Sequence, residues 1–246
     1  MGMVSRARKL LRLLVSKVYF KGLLKRVAAA VEHDSVIDFI QPRTVVDIGA
    51  NRGQFALMVR KVCPDARIYS FEPLPGPADR YERLFESDDQ ASLFRKAIGE
   101  VETTMRMNVS MRDDSSSLLP ITEEQISVFP GTGHSGTLDV QVAPLSSALE
   151  EEDIQSRSLL KLDVQGYELE VLKGCATLLG RFDEVYVECS FIELYGGQSL
   201  ASDIIAFLSG QQFNLVGVFN MTFDASKRPI QADFLFSRSR VFESTQ

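Results

Sequence analysis

The sequence predicts an α/β protein. It should form a doubly wound, mostly parallel seven-stranded sheet with an antiparallel last strand, preceded by an N-terminal helical arm. Three observations carry this reading. From Thr44 onward, short runs rich in β-branched residues alternate with helical stretches, an order that builds a parallel sheet covered by helices on both faces. The last two strand runs are joined by "NMTFDASKRPIQA", which has no helical pattern, so they should pair antiparallel. Residues 1–43 show basic amphipathic stretches and no strand signal.

Strands are expected at 44–48, 67–71, 92–97, 159–162, 184–188, 215–219 and 233–236. Helices are expected at 54–62, 77–85, 167–179 and 200–211. The rhythm fails between about 100 and 155. There "VETTMRMNV" and "TLDVQVAPL" alternate like strands, while "DDSSSLLP" and "FPGTGHSG" read as loops. This stretch has too few apolar residues for a core of its own, so it is taken as an insertion over the ligand end of the sheet. The division is therefore an arm at 1–43 and a main domain at 44–246.

A chain of 246 residues is long enough for one large α/β domain with a sizeable core. Its three cysteines, Cys63, Cys175 and Cys189, are scattered and form no CxxC pair, which favours a reducing, cytoplasmic setting. The net charge of −6 is uneven, because residues 1–33 hold eight Lys/Arg against one Glu. The acidic body argues against nucleic acid as a partner.

In the arm, Val4, Ala7, Leu10, Leu11, Leu14, Val15 and Val18 share one helical face. Gly22 allows a break, after which Leu23, Leu24, Val27, Ala28 and Val31 form a second stripe. Two readings stand. Residues 1–32 either contact an anionic membrane surface peripherally, at its inner face, or pack on the main domain or on a second copy in a homo-oligomer. Recurring lysines and the lack of an uninterrupted apolar core disfavour a secretory signal.

"VVDIGANRGQF" at 45–55 ends the first strand in a two-glycine turn. A dinucleotide fingerprint would place glycines at 49, 51 and 54, but the chain has Asn51 and Gln54 there. The form Asp47-x-Gly49-x-Asn51-x-Gly53 is instead that of S-adenosylmethionine enzymes, in which Asp47 and Asn51 would bind the amino-acid end of the cofactor. Gly49 and Gly53 would let the backbone pass close under it. "YSFEP" places Glu72 at the end of the second strand, where a carboxylate can accept from both ribose hydroxyls. Phe71 and Pro73 flank it, Phe71 or Leu74 could wall the adenine, and Ala97 belongs to the same expected cofactor set.

The second motif is "LLKLDVQGYELEVLKGC", with Asp163 at a strand end and Glu168 and Glu170 in the following helical turn. Together with "SFEPLP", "AIG", "SSSL" and "VYVECS", these stretches resemble the FkbM-type methyltransferase family over about 44–237. Gln165 departs from the glutamate common there. The resemblance implies a Rossmann-like class I methyltransferase fold and S-adenosyl-L-methionine-dependent O-methylation of a hydroxyl, most often on a sugar, glycan or glycolipid. A polyketide acceptor, an NAD-dependent oxidoreductase and a silent nucleoside-binding scaffold are the alternatives.

Taking the proton of a sugar hydroxyl calls for a base. Asp163 is the first candidate, Glu188 at the end of the next strand the second, and His134 in the glycine-rich loop the third. Asn108, Ser115, Ser116 and Tyr195 are the expected acceptor-binding groups, since the chain has no tryptophan to stack on a sugar. Magnesium between Asp163 and Glu188 is chemically allowed, but no further ligand set is visible and no metal is expected.

Overall fold

The structure, a computed structural model, describes residues 16–238. The chain runs α1 (Lys17–Leu24), α2 (Asp34–Ile40), β1 (Thr44–Ile48), α3 (Gln54–Val62), β2 (Arg67–Phe71), α4 (Pro75–Phe85) and β3 (Ala91–Phe94). The insertion follows, with β4 (Ala97–Ile98), β5 (Thr103–Ser110), α5 (Glu123–Val128) and β6 (His134–Ala143). Last come β7 (Ser158–Leu162), α6 (Glu168–Gly174), α7 (Ala176–Leu179), β8 (Glu184–Ser190), α8 (Ala201–Gly210), β9 (Asn214–Phe223) and β10 (Pro229–Ser237).

The large sheet has the order β3-β2-β1-β7-β8-β10-β9. β1 pairs in parallel with β2 on one side and with β7 on the other. β10 runs antiparallel to β8 and to β9, as the helix-free connection requires. The chain leaves β1 toward one flank and resumes at β7 on the other. The carboxyl ends of β1 and β7 therefore border the crevice at the switch point, where such sheets hold ligands.

All five residues of β1 are buried, because helices cover both faces. Val46 and Ile48 join one apolar cluster with Leu160 and Leu172, while Val45 joins another with Phe55 and Met58. Asp47 lies on the Val45 face. Its register partners are Ser70 and Lys161, and Tyr186 is the partner of Lys161. Four buried polar side chains thus cross an otherwise apolar face just short of its carboxyl edge.

Several expected elements shift. The run at 92–97 divides, because β4 leaves the large sheet to pair with β6 in a second, three-stranded sheet. The helix expected at 167–179 breaks at Cys175, which caps both α6 and α7. A Cβ on Gly174, the last residue of α6, would lie 2.4 Å from the Gly99 carbonyl oxygen, so α6 meets the turn after β4 backbone to backbone. α5 was not expected; Thr122 starts it by accepting a hydrogen bond from the Gln125 amide. β5 and β6 pair antiparallel and set Met107, Val140 and Val142 against Leu74.

The arm departs most. Residues 1–15, with most of the first expected stripe, lie outside the described residues. Gly22 sits inside α1, where a Cβ would fall 2.3 Å from Leu57 Cδ2, so it serves close packing on α3. The chain turns instead at Arg26, whose φ of 61° is left-handed. The second expected stripe does not form one helical face: Leu23 and Leu24 end α1, Leu24 and Ala28 are exposed, and Val27 and Val31, with Ala29, are buried in the Phe55 cluster. Lys25 pairs with Glu86 at 2.7 Å and ties this segment to the end of α4. Among the described residues no helix is long and apolar enough to cross a membrane.

Candidate active site

A cavity of about 620 Å³ opens at the carboxyl edge of β1, β2 and β7. Its walls come from the turn after β1, the end of β2, the turn at 112–116 in the insertion, and residues 26–33.

The amides of Gly49 and Ala50 both donate to the Phe71 carbonyl at 3.0 Å, which fixes the turn. Gly49 has φ 81°, and a Cβ there would lie 1.9 Å from the Asp163 carbonyl oxygen. Gly53 has φ 85°, and its Cβ would press on the rings of Tyr81 and Phe85 at 2.9 Å. Neighbouring protein atoms demand both glycines; Gly49 also lines the cavity, whereas the expectation that Gly53 passes under a ligand is corrected, since it packs on Tyr81 and Phe85 instead.

Asn51, at φ 45°, donates its amide to Glu72 Oε2 at 2.9 Å, and its side chain accepts from Gln54 Nε2 at 3.2 Å. Glu72 Oε1 accepts from the Leu74 amide at 2.7 Å. Each carboxylate oxygen therefore holds one backbone N–H and keeps capacity for another donor. Burial pushes the Glu72 carboxyl up to about 7, against the lowering effect of those two amides.

Asp47 takes a different place from the expected one. It is fully buried, does not line the cavity, and has Lys161 Nζ 3.1 Å from its Oδ1. Burial raises its carboxyl while Lys161 pulls it down. Burial also works against the Lys161 ammonium, but Asp47 and Asp163 outweigh it and the net shift is upward. Lys161 Nζ also lies 3.7 Å from Asp163 Oδ2 and 5.4 Å above the Phe55 ring.

Asp163 lines the cavity with its side chain 39% exposed. Gln165 Nε2 donates to Asp163 Oδ1 at 2.7 Å and to Glu188 Oε2 at 3.2 Å, while Gln165 Oε1 accepts from Tyr195 Oη at 2.7 Å. Gln231 Nε2 donates to the other Glu188 oxygen at 2.6 Å. Glu188 is therefore held below the cavity rather than in it. Burial, with Asp163 and Asp233 nearby, raises its carboxyl well above the ordinary range. Glu168 accepts from the Val164 and Gly166 amides and shapes this turn.

Phe71, Pro73, Ala97, Ser115 and Ser116 line the cavity; Asn108, Tyr195 and His134 do not. The Asn108 amide is spent on the Leu119 carbonyl at 2.9 Å, and Tyr195 is buried behind Gln165. His134 is exposed at the start of β6. Sequence reasoning missed Lys161, Gln231 and His33. Lys161 had a signal, a lone lysine inside an apolar strand; His33 had none, because the arm lay outside the motif region. Among the described residues no group of three or more His, Cys, Asp or Glu is arranged to hold a metal.

The Methyltransferase FkbM domain matches residues 47–215. The chain belongs to the FkbM methyltransferase family. This FkbM methyltransferase is 25% identical over 231 residues to the 2-O-methyltransferase NoeI of Sinorhizobium fredii, covering 91% of each chain. It is 28% identical over 147 residues to the hexuronic acid methyltransferase AglP of Haloferax volcanii, covering 58% of this chain and 54% of that one. Among solved structures, an FkbM methyltransferase from Methylobacillus flagellatus superposes with a TM-score of 0.52 at 14% identity. That match covers 79% of this chain and 44% of the other, and shows the shared Rossmann-like fold.

Proposed function

We propose that the protein transfers a methyl group from S-adenosylmethionine to a hydroxyl of a sugar or glycan. The observation that carries the cofactor is Glu72. It is a buried carboxylate at the end of β2 whose two oxygens are each half-used, beside a glycine turn, in a chain of a methyltransferase family. These residues fit the group: Glu72 can accept from both ribose hydroxyls, and Phe71, Leu74, Ile98 and Met107 offer an apolar wall for the adenine. The bound cofactor would supply a methyl already activated on a sulfonium, so the protein's task is largely positional. Asp163, turned outward above the Lys161–Asp47 pair, can accept from the cofactor's ammonium or the acceptor's hydroxyl.

The relative named a 2-O-methyltransferase supports an oxygen acceptor, and the one named for hexuronic acid supports a sugar, as does a cavity wall carrying Gln165, Gln231, Ser115 and Ser116. Calorimetry should show binding of S-adenosylmethionine and none of NAD. Labelled methyl should then pass to lipid-linked glycans or nucleotide sugars. Cofactor binding with no transfer to any hydroxyl acceptor would favour a silent scaffold.

A further inference from the structure

We infer that His33 is a catalytic residue, the general base for the transferred methyl's acceptor; this rests on the function proposed above. His33 ends the turn Val31–His33 and lines the cavity beside Lys161, Asp163 and Gln231. Its Nδ1 lies 2.9 Å from Tyr186 Oη, 3.2 Å from Asn220 Nδ2 and 3.5 Å from Asp233 Oδ2. The Asn220 amide donates to Asp233 at 2.8 Å and to the Tyr186 hydroxyl oxygen at 3.4 Å. With the Asp233 carboxylate 3.5 Å from Nδ1, we assign the proton to Nδ1, and Tyr186 Oη accepts its hydrogen bond. The ring is held edge-on by Phe55 and Tyr186, with centroids at 5.5 and 5.6 Å. Nε2 makes no hydrogen bond among the described residues. An open ring nitrogen whose partner nitrogen bonds a tyrosine hydroxyl beside a carboxylate suits a base that takes up a proton.

The acidic groups of the cavity wall at the turn 112–116 are held in ion pairs, and Asp163, just after β7, lies beside a cation and keeps only part of its accepting capacity. Asp113 pairs with Arg52, Asp114 with Arg112, and Asp163 with Lys161 and the Gln165 amide. In the step, Nε2 takes the hydroxyl proton as the oxygen–methyl bond forms. The sulfur–methyl bond breaks with its electron pair going to sulfur, giving a methyl ether, a thioether and an imidazolium facing Asp233.

The chain has two histidines, so His134→Gln leaves His33 as the sole imidazole and needs no change at the site. Nitrogen-15 spectra of that variant should show the Nδ1–H form. With S-adenosylmethionine labelled with carbon-13 at its methyl, an isotope-filtered NOE should join that methyl to the His33 ring protons. Calorimetric binding without that NOE, or an Nε2–H form, would overturn the role of His33 and leave the cofactor reading standing. No binding of S-adenosylmethionine would overturn both.

Discussion

Glu72 concentrates the chemistry at the scale of one residue. Its carboxyl sits at about 7 in the unliganded fold against an ordinary 4.5, because burial outweighs two backbone donors. A carboxyl raised in the folded state stabilises fully below its unfolded value and loses that contribution as pH climbs through the folded one. The unliganded protein should therefore be more stable at pH 5 than at pH 8, by about 2.5 kcal/mol from Glu72 alone, with Glu168 acting in the same direction. Urea unfolding at the two pH values measures this, and Glu72→Gln should flatten the difference. That variant also turns an amide N–H₂ toward a backbone donor, so its stability falls at every pH. Its affinity for S-adenosylmethionine should drop about 10- to 100-fold, the loss expected when hydrogen bonds to a charged acceptor disappear. Lys161 makes a second case. Its side chain is 8% exposed against an Asp47 that is 0% exposed, so Lys161→Met strands a buried carboxylate at a cost of about 3–5 kcal/mol. Replacing both, Asp47→Leu with Lys161→Met, should cost less than the single change.

Among the elements, the two turns at β1 and β7 lock each other. The Gly49 backbone lies against the Asp163 carbonyl, so Gly49→Ala adds both a clash and a strained positive φ. The conformation alone should cost about 1–3 kcal/mol, and calorimetry should show cofactor binding lost with it, since Asp163 must move. The bounds of β1, β2 and α3 were legible because apolar periodicity and flanking glycines act locally. Glu72 was legible for the same reason: it ends a strand and precedes a proline. The pairing of Asp47 with Lys161 was not, because it depends on strand register between segments about a hundred residues apart in the chain. The break at Cys175 was hidden likewise, since it follows from the Gly99 backbone approaching Gly174. Motif spacing showed that Asp47 belonged near the ligand but not that it lies beneath it.

For the whole molecule, the second part of the arm packs on the main domain, one of the two readings its sequence allowed. Residues 26–33 are a wall of the cavity, and Val27, Ala29 and Val31 are part of the core. Deleting residues 1–33 should therefore lower the melting temperature and abolish binding of S-adenosylmethionine, with both changes read on the same preparation. Peripheral membrane contact through residues 1–32 remains our proposal, and its test is liposome flotation of the full chain against one lacking residues 1–15; equal recovery at the top of the gradient would reject it. The central claim is that the edge shared by β1, β2 and β7 holds the adenosyl cofactor. A crystal structure with S-adenosylhomocysteine tests it most directly. The ribose diol should bond Glu72 and the amino-acid end should lie between the Gly49 turn and Asp163. A ligand bound elsewhere, or a diol with no contact to Glu72, would contradict the account.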